Sequence, residues 1–150
     1  MIERFKTFTL LIAKINRNIR KIKTEEMAEY NLKSPHVSCL YYLYKAEGES
    51  LTAKELSDIC DEDKAALSRS IDYLEKNGLI ACDSKEKKRY KAGLSLTEKG
   101  REVAKSIDTT INGVLDFLGT AMTEEERVRF YRNLEAINNN LENFCQKYNN

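Results

Sequence analysis

Residues 51–82 read LTAKELSDICDEDKAALSRSIDYLEKNGLIAC, and this stretch decides the fold. Thr52-Ala53-Lys54-Glu55 has the form of a capping box, in which the threonine hydroxyl takes an N–H of the first turn and the glutamate reaches back. The helix it opens carries Leu56 and Cys60 on its inner face. Asp61, Glu62 and Asp63 follow as a tight polar turn. A second helix then places Leu67, Ile71 and Leu74 at spacings of 4 and 3, the period of one buried stripe. Asn77-Gly78 stops it, because glycine enters the left-handed conformation freely. Helix, short turn and helix together form the arrangement of a helix-turn-helix unit.

Working outward toward the C-terminus, Leu79 to Cys82 reads as a short strand, residues 83–93 as a polar loop, and Leu94-Ser95-Leu96 as the returning strand. A hairpin set directly after the helix pair makes a winged helix. Thr97 then caps a long helix with Val103, Ile107, Ile111, Val114 and Leu118 on one face. Gly119 and Thr123 punctuate the chain, Thr123 and Glu126 form a second capping box, and the last helix carries Val128, Tyr131, Leu134, Ile137, Leu141 and Phe144.

Toward the N-terminus, Ser34-Pro35 is expected to open a helix, with Ser34 as N-cap and Pro35 at the first helical position. The run from Val37 to Tyr44 is apolar almost all round, so this helix is buried on more than one side, and Gly48 is expected to end it. The first segment has Phe5, Phe8, Ile12, Ile15, Ile19 and Ile22 at spacings of 3, 4, 3, 4 and 3, a coiled-coil-like seam. The expected fold is therefore mainly α with a small β-hairpin: a winged helix-turn-helix with long N- and C-terminal dimerisation helices. The chain reads as a single domain, 1–150. Residues 34–97 form its DNA-binding part, and 1–31 with 98–150 its dimerisation frame. The end helices carry more apolar stripe than one small core can cover, which points to a homodimer paired through Phe5, Phe8, Ile12, Ile111, Leu118, Leu134, Leu141 and Phe144.

Composition narrows the function by exclusion. The 150 residues hold 25 basic and 24 acidic side chains, so global charge announces no nucleic-acid partner, and any such argument must come from where the charges lie. No apolar run approaches the roughly 18 residues of a membrane span, and the amphipathic N-terminus is unlike a secretion signal. A cytoplasmic protein is expected. Cys39, Cys60, Cys82 and Cys145 lack a paired-ligand spacing and read as reduced thiols, the first three on core faces. With His36 the only histidine, no histidine-rich metal site is expected. Nothing resembles a nucleophile, metal or phosphate-loop constellation, so neither an enzyme nor a cofactor is expected.

The charges that matter are local. The second helix of the pair would present Lys64, Ala65, Ser68 and Arg69 on the side away from Leu67, Ile71 and Leu74. The guanidinium of Arg69 matches guanine O6 and N7, or else pairs with Glu62 or Asp72. Thr52 and Lys54 sit where a helix start can hold a phosphate. The loop segment 85–91 has five basic residues (Lys85, Lys87, Lys88, Arg89 and Lys91) against Glu86 alone, a local charge of +4. That suits phosphate or minor-groove contact and a steep salt dependence. His36, Tyr41, Tyr42 and Tyr44 could line an effector pocket, although aromatic residues at helical spacing also serve as plain core.

The set Leu51-Thr52-Ala53-Lys54-Glu55-Leu56, Asp63-Lys64-Ala65-Ala66-Leu67-Ser68-Arg69, Leu74-Glu75-Lys76-Asn77-Gly78-Leu79-Ile80 and Leu96-Thr97-Glu98-Lys99-Gly100 resembles the MarR family of bacterial transcriptional regulators, and the order of elements matches over essentially the whole chain. The resemblance implies a homodimer with interlocking terminal helices. It implies a recognition helix from each subunit in the major groove of a palindromic operator, and DNA release, as from a repressor, when a small aromatic effector binds. Some members respond to thiol oxidation instead. Two positions depart from the family pattern. Asp61 and Glu62 stand where the turn usually has glycine and an apolar residue. The acidic position of the wing falls on Lys88 counted back from Leu96 and on Glu86 counted forward from Asp83. Two other readings remain beside a regulator relieved by a small molecule. One is a winged-helix protein-interaction module without DNA binding, favoured by the acidic turn. The other is a thiol-based redox-sensing regulator, with Cys82 its candidate beside the basic wing.

Overall fold

The computed structural model describes residues 3–60, 62–83 and 91–148. Their elements run α1 (Arg4–Glu26), a 3-10 turn (Ala28–Tyr30), α2 (Ser34–Lys45), β1 (Leu51–Thr52), α3 (Ala53–Cys60), α4 (Lys64–Lys76), β2 (Ile80–Cys82), β3 (Gly93–Leu96), α5 (Glu98–Gly119), α6 (Glu124–Cys145) and a closing 3-10 turn (Gln146–Tyr148). The fold is mainly helical, with a small antiparallel sheet of order β1-β3-β2. The chain divides into two compact units, 1–110 and 111–150.

The first unit holds the core. Leu40 and Leu43 of α2, Leu56 of α3, Leu67, Ile71 and Leu74 of α4, Ile80 and Leu94 of the sheet, and Val103, Ala104 and Ile107 of α5 are all buried. Each large aliphatic side chain so buried contributes about 1.5–3 kcal/mol over leaving it in water. The stripe expected on α4 therefore faces inward as its spacing requires.

Local chemistry sets the boundaries. Thr52 Oγ1 accepts from Glu55 N at 3.3 Å, and Thr52 N donates to Glu55 Oε2 at 2.7 Å, which starts α3. Asp63 caps α4 by accepting from Ala66 N at 2.8 Å. Gly78 ends that helix at φ 67°, where Leu79 N closes back onto Leu74 O at 2.9 Å. Thr97 Oγ1 accepts from Gly100 N at 3.0 Å and donates to Gly78 O at 2.6 Å, so one hydroxyl starts α5 and ties it to the end of α4.

Three expectations need correction. The N-cap of α2 is Lys33, not Ser34, so Pro35 takes the second helical position. Ser34 is buried and its N–H donates to Thr24 Oγ1 at 3.3 Å, while the cap is closed by His36 Nδ1 accepting from Lys33 N at 3.1 Å. The same helix stops at Lys45, three residues before Gly48, and the chain turns through Glu47 and Gly48, both at positive φ. A third strand, β1, precedes α3 and pairs Leu51 with Leu94 and Thr52 with Gly93. Two residues give no alternation to read, and only the arrival of β3 makes them a strand.

The second unit contains the C-terminal half of α5 and all of α6. Thr123 Oγ1 accepts from Glu126 N, and Glu126 Oε2 accepts from Thr123 N at 2.8 Å, so α6 begins at the expected capping box. No residue of α6 is buried, and Leu118, Leu134, Leu141 and Phe144 are exposed, while Ile111 is half-buried. In the first unit, α1 likewise buries nothing, with Phe5 81% exposed and Phe8, Ile12, Ile15 and Ile19 exposed along one seam.

Candidate nucleic-acid interface

Helix α4 is amphipathic by sequence and position. Its buried stripe fixes the rotation about its axis, and that rotation leaves Lys64, Ala65, Ser68 and Arg69 exposed. The turn before it is held from inside. Ser57 Oγ donates to Glu62 O at 3.0 Å, and the Glu62 side chain, 11% exposed, pairs with Arg20 of α1 at 3.8 Å. The residue that departs from the family's apolar plug is thus accommodated by an arginine of α1. This pairing also takes up one of the acidic side chains that could have held Arg69.

The starts of α3 and α4 meet around a cleft of about 710 Å3, lined by Lys54, Ser57 and Asp58 of α3, by Lys64, Ser68 and Asp72 of α4, and floored by Leu67, Ile71 and Leu94. The structure therefore brings Lys54, Lys64 and Ser68 to one surface. Arg69 lies one residue further along the exposed face of α4. Ser57 and Asp58 were not anticipated as part of this surface. The signal was present in their spacing, three and four residues after Lys54, which puts all three on one side of α3.

Thr52 is differently engaged. Its hydroxyl accepts from Glu55 N and donates to Glu55 Oε2 at 2.7 Å, so the cap consumes it. These hydrogen bonds hold the Glu55 carboxyl below the usual carboxylate range. At this helix start the exposed Lys54 is the group that meets solvent.

The hairpin base is described on both sides. Strand β2 pairs with β3 through Ile80 and Leu96, Ala81 and Ser95, and Cys82 and Leu94, and Asp83 N donates to Gly93 O at 2.8 Å. Lys91 is exposed at the base of the loop. Lys85, Lys87, Lys88 and Arg89 of the expected basic wing lie outside the described residues, as does Asp61.

The residues read as an effector pocket do not converge on that cleft. Tyr41, Tyr42 and Tyr44 are half-buried along α2. Tyr41 and Tyr42 meet edge to face at 5.3 Å, and Lys45 lies over the Tyr41 ring while pairing with Asp108 at 2.6 Å. Burial pushes the Tyr42 phenol up, and Cys60 and Tyr41 add to the shift. His36 has a structural task. It caps α2, stacks on Tyr73 at 4.3 Å with ring planes 3° apart, and that tyrosine donates to Asn31 O at 2.8 Å. Burial lowers its pKa, with Lys33 adding to the effect, so the imidazole is kept neutral as an acceptor.

Comparison with known proteins agrees with this architecture. Residues 30–89, from the end of α1's connection through the helix pair into the loop, match the MarR family model. No curated protein matches the chain. Among solved structures, a MarR transcriptional regulator from Methanosarcina mazei Go1 superposes with a TM-score of 0.80 at 21% identity, covering 93% of this chain and 99% of that one. NMB1585, a MarR family regulator from Neisseria meningitidis, gives 0.80 at 21% identity over 97% of this chain and 99% of its own. MepR of S. aureus, in complex with DNA, gives 0.78 at 18% identity over 89% and 97%. At these identities the likeness is one of fold, and the family match covers the helix-turn-helix segment. Among the described residues no helix is long and apolar enough to cross a membrane. The MarR family is one of transcription regulators and not of enzymes, and residues 30–89 of this chain, which hold the helix pair, match it.

Proposed function

We propose that this chain is a homodimeric, sequence-specific regulator, acting as a repressor, that reads a palindromic DNA operator and releases it when a small aromatic effector binds. The observation that carries the reading is the exposed face of α4, with Lys64, Ala65, Ser68 and Arg69 beside Lys54. An α-helix fits the major groove, and residues near its N-terminus reach base edges while flanking cations meet phosphate. Arg69 is assigned to a guanine edge and Ser68 to a base or phosphate. Lys54, Lys64 and the loop cations Lys85, Lys87, Lys88, Arg89 and Lys91 are assigned to the backbone. Thr52 supports the site by setting the start of α3. The DNA-bound structure of MepR, which has this fold, supports the same use of it here.

The second copy is argued from exposed apolar surface. A helix such as α1, with Phe5, Phe8 and Ile12 in a seam and nothing buried, is stable in water only when another surface covers that seam. Leu118, Leu134, Leu141 and Phe144 make the same demand at the other end of the chain, with Ile111 at its edge. A two-fold pair satisfies both with one self-complementary arrangement. An effector would bear on the half-buried face of α2 at Tyr41, Tyr42 and Tyr44, with His36 at the start of that helix acting through its cap.

The test is selection of bound duplexes from a random pool at fixed salt, followed by titration of the selected site. The reading requires a palindrome whose half-sites are about one helical turn apart, and loss of binding in Arg69→Ala with the dimer intact. A folded dimer that retains no duplex at low salt would sink it. Two of the three acidic side chains that favoured a protein-interaction role have partners within the fold: Glu62 pairs with Arg20, and Asp63 caps α4.

A further inference from the structure

Glu62 lies two residues before α4, and it ties the turn there to two other helices. Its carbonyl accepts from Ser57 Oγ of α3 at 3.0 Å, and its carboxylate meets Arg20 of α1 at 3.8 Å. Asp63 is occupied with Ala66 N, so it shapes the first turn of α4 without placing that helix against the rest of the fold. The end of α1 is fastened in its turn to α2. Lys23 Nζ donates to Ser38 Oγ at 2.9 Å, and Thr24 Oγ1 accepts from Ser34 N at 3.3 Å. Arg20, Lys23 and Thr24 occupy the last two turns of α1, so one short stretch of that helix holds both α2 and the turn into α4.

The pairing does something an apolar plug at position 62 could not. A plug packs on whatever surface meets it and tolerates small slips. A carboxylate that is 11% exposed needs one particular cation, because stranding it away from water is costly. Arg20 is half exposed, so the attraction itself is modest, and the weight of the pair lies in keeping Glu62 compensated. The ammonium of Lys23, one turn further on, is held by Ser38 instead.

The place of Arg20 on α1 gives the tie its consequence. It directly follows Ile19, the last exposed residue of the seam that runs through Phe5, Phe8, Ile12 and Ile15. The helix whose seam demands a cover is therefore the helix that holds the start of α4. With that seam covered by a second copy, the two α1 helices form a frame, and each recognition helix is hung from it at Glu62. We propose that Glu62, acting through Arg20, is the positioning residue that sets the separation of the two recognition helices, and so the half-site spacing that the dimer accepts. This inference rests on the homodimeric operator reading above and names the residue that fixes its register. One base pair of spacer moves a half-site by about 3.4 Å and turns it by about 35°. A turn free to slip along α1 lets α4 follow part of that displacement, whereas a turn held to Arg20 does not.

The experiment measures the affinity of the full-length protein for three duplexes: the selected palindrome, and the same palindrome with one base pair added to or removed from its centre. The parent should prefer the selected spacing. Glu62→Gln keeps the shape of the side chain and removes its charge, and should narrow that preference about tenfold, a usual size for coupling between two sites. Arg20→Gln should narrow it as much, the double variant Arg20→Gln/Glu62→Gln no further, and Arg20→Lys should retain most of it. Glu62→Leu separates positioning from stability. It supplies an apolar plug, so its urea midpoint should equal or exceed the parent's, yet it should be as permissive of spacing as Glu62→Gln. Glu62→Leu or Glu62→Gln with the parent's full preference would overturn the proposal, as would independent, additive effects of the two glutamine substitutions. A parent that binds all three duplexes alike overturns it too, with the DNA-binding face left standing. A parent that binds no duplex refutes the operator reading itself and this inference with it.

Discussion

Replacing Gly100 with alanine is the sharpest test of how α5 is seated on the winged-helix core. A Cβ at this position would lie 1.8 Å from Leu79 O and 2.7 Å from Leu79 C, both backbone atoms. A flexible side chain could swing aside, but this carbonyl is pinned because it accepts from Thr97 N at 3.1 Å. The neighbouring Gly78 carbonyl is held by Thr97 Oγ1. Relief of the clash requires α5 and the start of β2 to separate by more than about 1 Å, which strains both bonds and loosens the packing of Val103, Ala104 and Ile107. Overpacking against a fixed backbone belongs at the upper end of the usual range, about 3 kcal/mol or more. For a chain of this size that lowers Tm by roughly 6–12 °C at fixed protein concentration. Gly78→Ala provides the internal standard. Its Cβ meets nothing within 4 Å, so only the φ of 67° is penalised, at about 1–2 kcal/mol. Urea denaturation of the two variants should rank Gly100→Ala as clearly the more destabilised. Equal midpoints, or a Gly100→Ala protein within about 1 kcal/mol of the parent, would refute the close seating of α5 on Leu79.

Three further outcomes follow from local chemistry. Asp63→Ala removes the acceptor of Ala66 N and should destabilise the protein by about 1 kcal/mol in denaturation, while Asp63→Asn should restore most of that loss. His36 is kept neutral by burial and by Lys33, so the unfolded chain binds a proton more readily than the folded one; stability should fall as pH drops below the ordinary imidazole pKa of about 6.5, and His36→Asn should flatten that slope between pH 7 and 5, whereas parallel slopes would remove His36 from the account. Ile12→Glu places a charge in the exposed seam of α1 and should shift sedimentation toward the monomer at micromolar concentration, and an unaffected dimer would remove α1 from the interface.

The parts legible in the sequence are those governed by short-range rules. The two capping boxes, Thr52 with Glu55 and Thr123 with Glu126, and the Asn77-Gly78 stop each depend on atoms within a few residues, and each is found where the spacing put it. The stripe of Leu67, Ile71 and Leu74 carried enough information to orient α4 and hence its exposed face. What escaped was non-local. Strand β1 exists only because Gly93 and Leu94 return to pair with it. The start of α2 shifted by one residue because Thr24, far off in sequence, accepts the Ser34 N–H, and His36 found Tyr73 of α4 as a stacking partner. Glu62, which looked like a missing plug, meets Arg20 across the fold. The cleft between α3 and α4 likewise needs the tertiary structure, since no spacing predicts it.

The measurement that bears most directly on the account is the affinity of the purified protein for its selected duplex as a function of salt, for the parent and for Arg69→Ala. The account predicts a palindromic site and a linear fall of log affinity with log salt, amounting to about three to five decades between 50 and 200 mM if six to ten phosphates are contacted. It also predicts that Arg69→Ala loses discrimination at one base pair of each half-site, about 1–3 kcal/mol, with the salt slope little changed. A folded dimer that binds no duplex at low salt, or one whose affinity ignores both salt and Arg69, would contradict the assignment of this surface to DNA.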